Sequence, residues 1–175
     1  RFIDGNNLMK TAFLGLGGMG QGMAANLAKA GLLTGVYNRT QAKADEFADS
    51  HGVTAHDNPA AACEAARAIV LCVSADADVL EMIDALVSAL SSDHIVIDCS
   101  TVASDTAREA GERVAGAGAA FVDAPVSGGT EGAKKGTLSI MVGAADDVFA
   151  DIEPVLSAMG KSITHMGPIG AGQAT

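Results

Sequence analysis

From Lys10 onward the chain repeats one alternation: a short apolar run, a Gly-rich or polar turn, then an Ala-rich segment with apolar residues three and four apart. The runs "TAFLGL", "LTGVYN", "AIVLCV", "HIVIDC", "AAFVDAPV" and "TLSIMVG" predict strands; "SITHMG" is the weakest, and "GVTAHD" reads as a short edge strand. Helices are expected near 19–30, 41–50, 59–65, 78–90, 104–116 and 146–158. Several runs are apolar at consecutive positions, so both faces of those strands are buried, as in a parallel sheet between two helical layers. The expected class is α/β, doubly wound, with a mostly parallel sheet. The alternation loosens after Ala124, where "PVSGGTEGAKKG" is too rich in Gly for a good helix and too polar for a strand. A long irregular segment of this kind inside a compact domain is often functional.

The first eight residues, "RFIDGNNL", share no pattern with the remainder of the chain and read as a tag remnant or upstream leader. Residues 9–175 then form one domain, large enough to bury roughly 70% of the surface its unfolded chain exposes. With five Phe, one Tyr and no Trp, the core must come from Ala, Val, Leu, Ile and Met.

Charge narrows the partners. Twenty-one acidic against eleven basic residues leave a net charge of −10, which excludes a general grip on nucleic acid or an acidic membrane face. Any anion must be held locally, by backbone amides or one or two basic side chains. Cys63, Cys72 and Cys99 are odd in number and lack CxxC spacing, so they read as reduced core residues. No apolar run approaches 18 residues, and no signal-peptide pattern is seen. The expected location is cytoplasmic.

The chemistry begins at "FLGLGGMGQGMAANLAKAG", which sets Gly15, Gly17 and Gly20 in GxGxxG spacing between a strand and a helix. Gly15 permits the tight turn, Gly17 lets a pyrophosphate approach the backbone, and Gly20 lets helix and strand pack closely. The helix N-terminus offers unpaired amides and the positive end of its dipole. Leu16, Gly18 and Met19 fill the spacing and complete the expected phosphate cradle of a Rossmann-type domain.

About 20 residues on, an NAD site places an acid to hold the ribose hydroxyls. Here the chain reads "YNRT": Asn38 is neutral and Arg39 lies 19 residues beyond Gly20. An acid would repel a 2′-phosphate, whereas Arg39 can bind one with its fork of donors and Thr40 can add a hydroxyl. The expected cofactor is NADP, with NAD as the alternative. A solvated arginine on a strand-end loop is the plainer reading of Arg39.

Together, "FLGLGGMGQGMAANLAKAG", "IVIDCST", "DAPVSGGTEGAKKGTLSIMVG" and "GPIGAGQAT" resemble the β-hydroxyacid dehydrogenases. This is the group of 3-hydroxyisobutyrate dehydrogenase, tartronate semialdehyde reductase and the glyoxylate/succinic semialdehyde reductases. The resemblance spans about 9–175 and implies a cofactor domain followed by an all-helical, usually dimerising C-terminal domain that is absent from this chain. It also implies that Ser127 clamps a substrate carboxylate by its hydroxyl, with Gly128 and Gly129 giving amides. Consecutive glycines independently permit such an anion nest, although an irregular connection could need Gly for φ > 0 alone.

The resemblance places Thr101 beside the nicotinamide, and Val73 and Ser74 on a loop passing the cofactor. That loop often reads Leu-Pro in relatives, so those contacts depart from the pattern. A helix cap is an equal reading for Ser74 or Thr101. In relatives "GxGQxxK" carries the general acid/base lysine; here "GAGQAT" ends the sequence, so the chain is expected to bind cofactor without turnover. Lys134, Lys135 and Lys161 read as exposed and the four histidines show no metal or triad spacing, so none is promoted in its place. The implied function is an NADP-preferring oxidoreductase of the 3-hydroxyisobutyrate dehydrogenase type. It would interconvert a small 3-hydroxy acid and its semialdehyde or keto acid, as a homo-oligomer at full length. The alternative is a non-catalytic NADP-binding module, and an imine reductase is disfavoured by Ser127.

Overall fold

The computed structural model describes residues 9–175; the expected tag or leader at 1–8 lies outside the described residues. The alternation appears as β1 (Thr11–Leu14), α1 (Gly18–Lys29), β2 (Leu33–Tyr37), α2 (Gln41–His51), β3 (Thr54–Ala55), α3 (Pro59–Ala62), β4 (Ala68–Leu71) and α4 (Asp76–Leu86). A single 3₁₀ turn at Val87–Ala89 follows, then β5 (Ile95–Asp98), α5 (Ser104–Gly116), β6 (Ala120–Asp123), β7 (Val126–Ser127), α6 (Gly129–Lys135), β8 (Leu138–Gly143), α7 (Asp146–Met159) and β9 (Gly160–Gly167).

Helix ends have local causes. Asn58 caps α3 by accepting the Ala61 N–H at 2.9 Å, with Pro59 in the first turn where its missing N–H costs nothing. Gly52 ends α2 in the left-handed conformation. The 78–90 segment gives up regular helix earlier than its apolar spacing suggests, and α3 is one turn long.

The strands of the described residues join one sheet in the order β3-β2-β1-β4-β5-β6-β8-β7, with β9 paired to β8. Strands β1 to β6 run parallel, as their burial pattern requires. Side chains alternate between two cores. Phe13, Val70, Ile97 and Val122 face the layer of α1 and α7, and Leu14, Leu71, Val96 and Phe121 face that of α4 and α5. Each strand therefore has to be apolar throughout, which is why its sequence reads as a continuous run.

Three expectations change after Asp123. The run "AAFVDAPV" is two strands, since Pro125 brings no N–H to the ladder and the chain turns a corner there. "PVSGGTEGAKKG" is not irregular throughout: it forms the short β7 and the seven-residue helix α6. Strand β8 then runs antiparallel to β6 and β7, and α7 carries the chain across to β9, parallel to β8 and eight residues long. The helix wins over its poor propensity because α1 receives it. A Cβ at Gly22 would lie 2.8 Å from the Ala133 carbonyl carbon and the Lys134 nitrogen, so only glycine lets the two backbones meet. Asn26 fastens the contact, donating Nδ2 hydrogens to the Ala133 carbonyl at 2.7 Å and the Lys134 carbonyl at 3.1 Å.

Candidate functional site

The sheet order reverses direction between β1 and β4, and in such sheets the crevice at the strands' C-terminal ends binds the ligand. A cleft of about 240 Å³ opens there, lined by Gly15 and Gly17 after β1, Tyr37, Asn38, Arg39 and Thr40 at the end of β2, and Cys72, Val73 and Ser74 after β4. Asp78 and Met82 of α4 complete the lining.

The three glycines do different work. Gly15 has φ +106°, and a Cβ on it would overlap the Cys72 carbonyl. A Cβ on Gly20 would overlap the Gly15 carbonyl and lie 3.2 Å from the Phe13 ring, so it sets how closely helix follows turn. Gly17 meets nothing within 4 Å. Nothing in the protein itself requires glycine at that point, and the open space above it lies at the first turn of α1, whose leading amides have no intrahelical acceptor. Its amides and the room above Gly17 fit a dinucleotide pyrophosphate.

Leu16 departs from its expected part. Its side chain is fully buried in the core and its N–H is taken by Asn38 Oδ1 at 2.8 Å. Gly20 is buried too, and Gly18 and Met19 belong to the helix's first turn without lining the cleft. Arg39 stands at the mouth, 75% exposed, with Nη2 3.4 Å from Asp78 Oδ1 and 3.8 Å from Glu81 Oε2. The sequence offered no sign of Asp78: it becomes a neighbour of Arg39 only because β4 lies on the far side of β1.

Thr101 is exposed at the C-terminal end of β5 and does not line the cleft. Ser127, Gly128 and Gly129 are exposed on β7 and the start of α6, also outside it. Gly128 has φ +139° and Gly129 φ +64°, so both need glycine for the turn itself. The packing of α6 on α1 brings this turn to the glycine-rich one: a Cβ at Gly18 would lie 3.6 Å from Thr130 Cγ2.

Beneath the site, Asp98 and Asp123 face each other across β5 and β6, both fully buried. Asp123 accepts the Gly170 N–H at 2.7 Å and the Gln173 N–H at 2.9 Å. Asp98 accepts the Ser100 N–H at 3.0 Å through Oδ1, while Oδ2 has no hydrogen-bond partner among the described residues. Burial pushes the Asp98 carboxyl up to about 7, the bonds from Ser100 pull it down, and the Asp123 and Asp76 carboxylates add to the rise. Burial, helped by Asp98, likewise pushes the Cys72 thiol up to about 11, so the thiol lining the cleft is protonated at neutral pH and a poor nucleophile.

Three of the four histidines bond main-chain carbonyls. His94 Nε2 bonds the Cys63 carbonyl at 2.8 Å, His165 Nε2 the Ala144 carbonyl at 2.7 Å, and His51 Nδ1 the Phe47 carbonyl at 3.0 Å. Lys134, Lys135 and Lys161 are exposed.

This strand order, with a glycine turn and a helix N-terminus at the switch point, defines a Rossmann-type dinucleotide-binding domain. More narrowly, residues 10–167 match the family described as the NAD binding domain of 6-phosphogluconate dehydrogenase, and the chain belongs to that family. It is 42% identical over 165 residues to 3-hydroxyisobutyrate dehydrogenase of Pseudomonas aeruginosa, covering 93% of this chain and 55% of that protein. It is 37% identical over 169 residues to NAD-dependent L-serine dehydrogenase of the same organism, covering 95% of this chain and 56% of that one. Among solved structures, Mycobacterium tuberculosis 3-hydroxyisobutyrate dehydrogenase with L-serine superimposes with a TM-score of 0.90 at 34% identity, covering 96% of this chain and 57% of that one. The chain thus spans little more than half the length of these relatives. Among the described residues no helix is long and apolar enough to cross a membrane.

Proposed function

We propose that the chain is the cofactor-binding part of an NADP-preferring dehydrogenase that interconverts a small 3-hydroxy acid and its semialdehyde or keto acid. The observation that carries the reading is Arg39 at the mouth of the cleft, beside a neutral Asn38 where an NAD site would carry an acid. An NAD-dependent relative shows that the family does not settle the cofactor, so this residue has to decide it.

Each residue has a part in this reading. The amides of Gly17 and the first turn of α1 hold the pyrophosphate. The exposed Arg39 exchanges its half-buried partner Asp78 for the 2′-phosphate, and Thr40 adds a hydroxyl. The exchange is downhill because an exposed pair is worth about 0–1 kcal/mol and a charge-assisted phosphate contact about 1.5–3 kcal/mol. Val73 and Ser74 wall the other half of the cleft. The Ser127 hydroxyl and the Gly128 and Gly129 amides hold the substrate carboxylate, with Thr101 beside the reacting carbon. The bound nicotinamide supplies the hydride exchange. Both 3-hydroxyisobutyrate and L-serine, the compounds in the relatives' names, carry a carboxylate and a 3-hydroxyl, which suits this arrangement.

Calorimetry with NADPH and NADH tests the reading. NADPH is expected to bind at least tenfold more tightly, about 1.4 kcal/mol, and Arg39→Asp to abolish the difference. Equal affinities in the unaltered protein would overturn the cofactor assignment. In the complete enzyme Ser127→Ala is expected to raise KM for the hydroxy acid while leaving the Kd for NADP within about twofold. Tight NADPH binding without turnover of any 3-hydroxy acid would favour a cofactor-binding module instead.

A further inference from the structure

The turn at residues 168–175, beyond β9, is tied to the sheet by the Asp123 side chain of β6 and to the loop after β5 by its own Gln173 side chain. Asp123 anchors its backbone, accepting the Gly170 and Gln173 amides. The fit is close: a Cβ on Gly172 would lie 2.9 Å from both Asp123 O and Asp123 Oδ2. With its backbone held there, the Gln173 side chain is left to reach the loop after β5 and spans it with both ends. Its Nε2 donates to the Ser100 carbonyl at 2.7 Å, and its Oε1 accepts the Val102 N–H at 3.1 Å. Ser100 passes the constraint on, because its hydroxyl accepts the Val73 N–H at 2.9 Å and its own N–H is held by Asp98. Val73 and Ser74 line the cleft. A continuous series of hydrogen bonds therefore runs from Gln173 through Ser100 to the cleft wall.

The sheet order says which half of a dinucleotide meets that wall. With the 2′-phosphate at Arg39 beyond β2 and the pyrophosphate over Gly17 beyond β1, the remaining half must extend past β4 and β5. This step rests on the cofactor reading above. We propose that Gln173 is a positioning residue for the nicotinamide half of the cofactor, acting through Ser100 to hold the wall formed by Val73 and Ser74. It touches neither the cleft nor the phosphates, so its effect reaches the cofactor only through that wall.

The geometry permits a selective test. Gln173→Ala removes both side-chain bonds to 100–102 and leaves the backbone bonds to Asp123 in place. Ser100→Ala removes the hydroxyl, and with it the tether to Val73 and its bond to the Asp98 carboxyl, and leaves the Gln173 bonds to 100–102 in place. Affinities for NADPH and for 2′,5′-ADP, which carries the adenosine half and the 2′-phosphate without the nicotinamide, are measured on the purified protein. Each variant is expected to weaken NADPH at least fivefold and to diminish the enhancement of nicotinamide fluorescence on binding. The Kd for 2′,5′-ADP is expected to stay within twofold. The double variant is expected to lose less than the product of the two single losses, since both act on one series of bonds. Gln173→Glu, which keeps the acceptor for Val102 but sets a carboxylate oxygen against the Ser100 carbonyl, is expected to behave like Gln173→Ala. Unchanged NADPH affinity in Gln173→Ala or Ser100→Ala, or equal losses for NADPH and 2′,5′-ADP, overturns the proposal. If Gln173→Ala does not fold, Ser100→Ala decides alone by the same criteria. Failure of the unaltered protein to bind either ligand strikes the cofactor reading and the proposal with it.

Discussion

Asn38 Oδ1 accepts the N–H of Leu16 at 2.8 Å and so fastens the glycine turn to the end of β2. Asn38 thus has a task inside the protein besides the ligand contact proposed for it. Its amide also donates to the Thr40 carbonyl at 3.1 Å, which shapes the loop that carries Arg39.

Asn38→Asp keeps the acceptor for Leu16, so the turn is expected to stay in place and the melting temperature to change little. The added charge opposes a 2′-phosphate and can bind ribose hydroxyls. The ratio of NADPH to NADH affinity is expected to fall about tenfold, a change of about 1.4 kcal/mol, in titrations of both cofactors. A ratio that stays constant would show that the 2′-position lies away from Asn38.

The glycines of the turn are expected to separate binding from folding. A side chain at Gly17 meets open space, so Gly17→Val should melt near the parent temperature and lose NADPH binding. At Gly20 even Ala would overlap the Gly15 carbonyl, so Gly20→Ala is expected to destabilise the domain by about 1–3 kcal/mol. Thermal melts with and without NADPH check both. A Gly17→Val variant with unchanged NADPH affinity would place the pyrophosphate elsewhere.

Gly22→Val is expected to push α6 off α1, since its Cβ would approach the Ala133–Lys134 backbone to 2.8 Å. A loss of about 1–3 kcal/mol is expected, lowering the melting temperature by roughly 2–4 °C per kcal/mol for a chain of this size. Because α6 carries Gly129, hydrogen exchange should quicken across 126–135 more than in β1 or β4. Uniform protection across the chain would contradict the assigned contact.

Asp98 makes stability depend on pH. Its carboxyl titrates at about 7 in the fold, against 3.8 for an unperturbed aspartate, so folding takes up a proton between those values. Stability from this group is full below about pH 4 and falls as pH rises towards 7, then levels off. Asp98→Asn mimics the protonated form and is expected to flatten that decline, which melts at pH 5 and pH 8 would show. The groups around it are Asp123, Asp76, Cys72 and Cys99, and the thiols are pushed up by burial. A variant that keeps the full slope would assign the pH dependence to another group.

Features that depend on one element's own surroundings can be read from the chain of residues. Continuous apolar runs announce strands buried on both faces, because a side chain on either side of β4 or β5 meets a helical layer. Gly15 and Gly20 were legible as fixed spacing because their need for glycine arises within one turn and its helix. That Asn38 and Arg39 line the cleft was legible from their distance along the chain from that turn.

Features that join distant segments came from the assembled fold. The helix α6 exists in a glycine-rich stretch because Gly22 and Asn26, more than a hundred residues earlier, receive its backbone. Asp78 faces Arg39 across 39 residues, and Gln173 reaches Ser100 across 73, through contacts that no periodicity records. Asp98 and Asp123 are ordinary strand-end acids until the register of β5 and β6 sets them opposite each other in a buried interior. A hydrophobic pattern reports which face of an element is covered; which residue covers it depends on how strands are ordered in the sheet, and that order appears only once all of them are assembled.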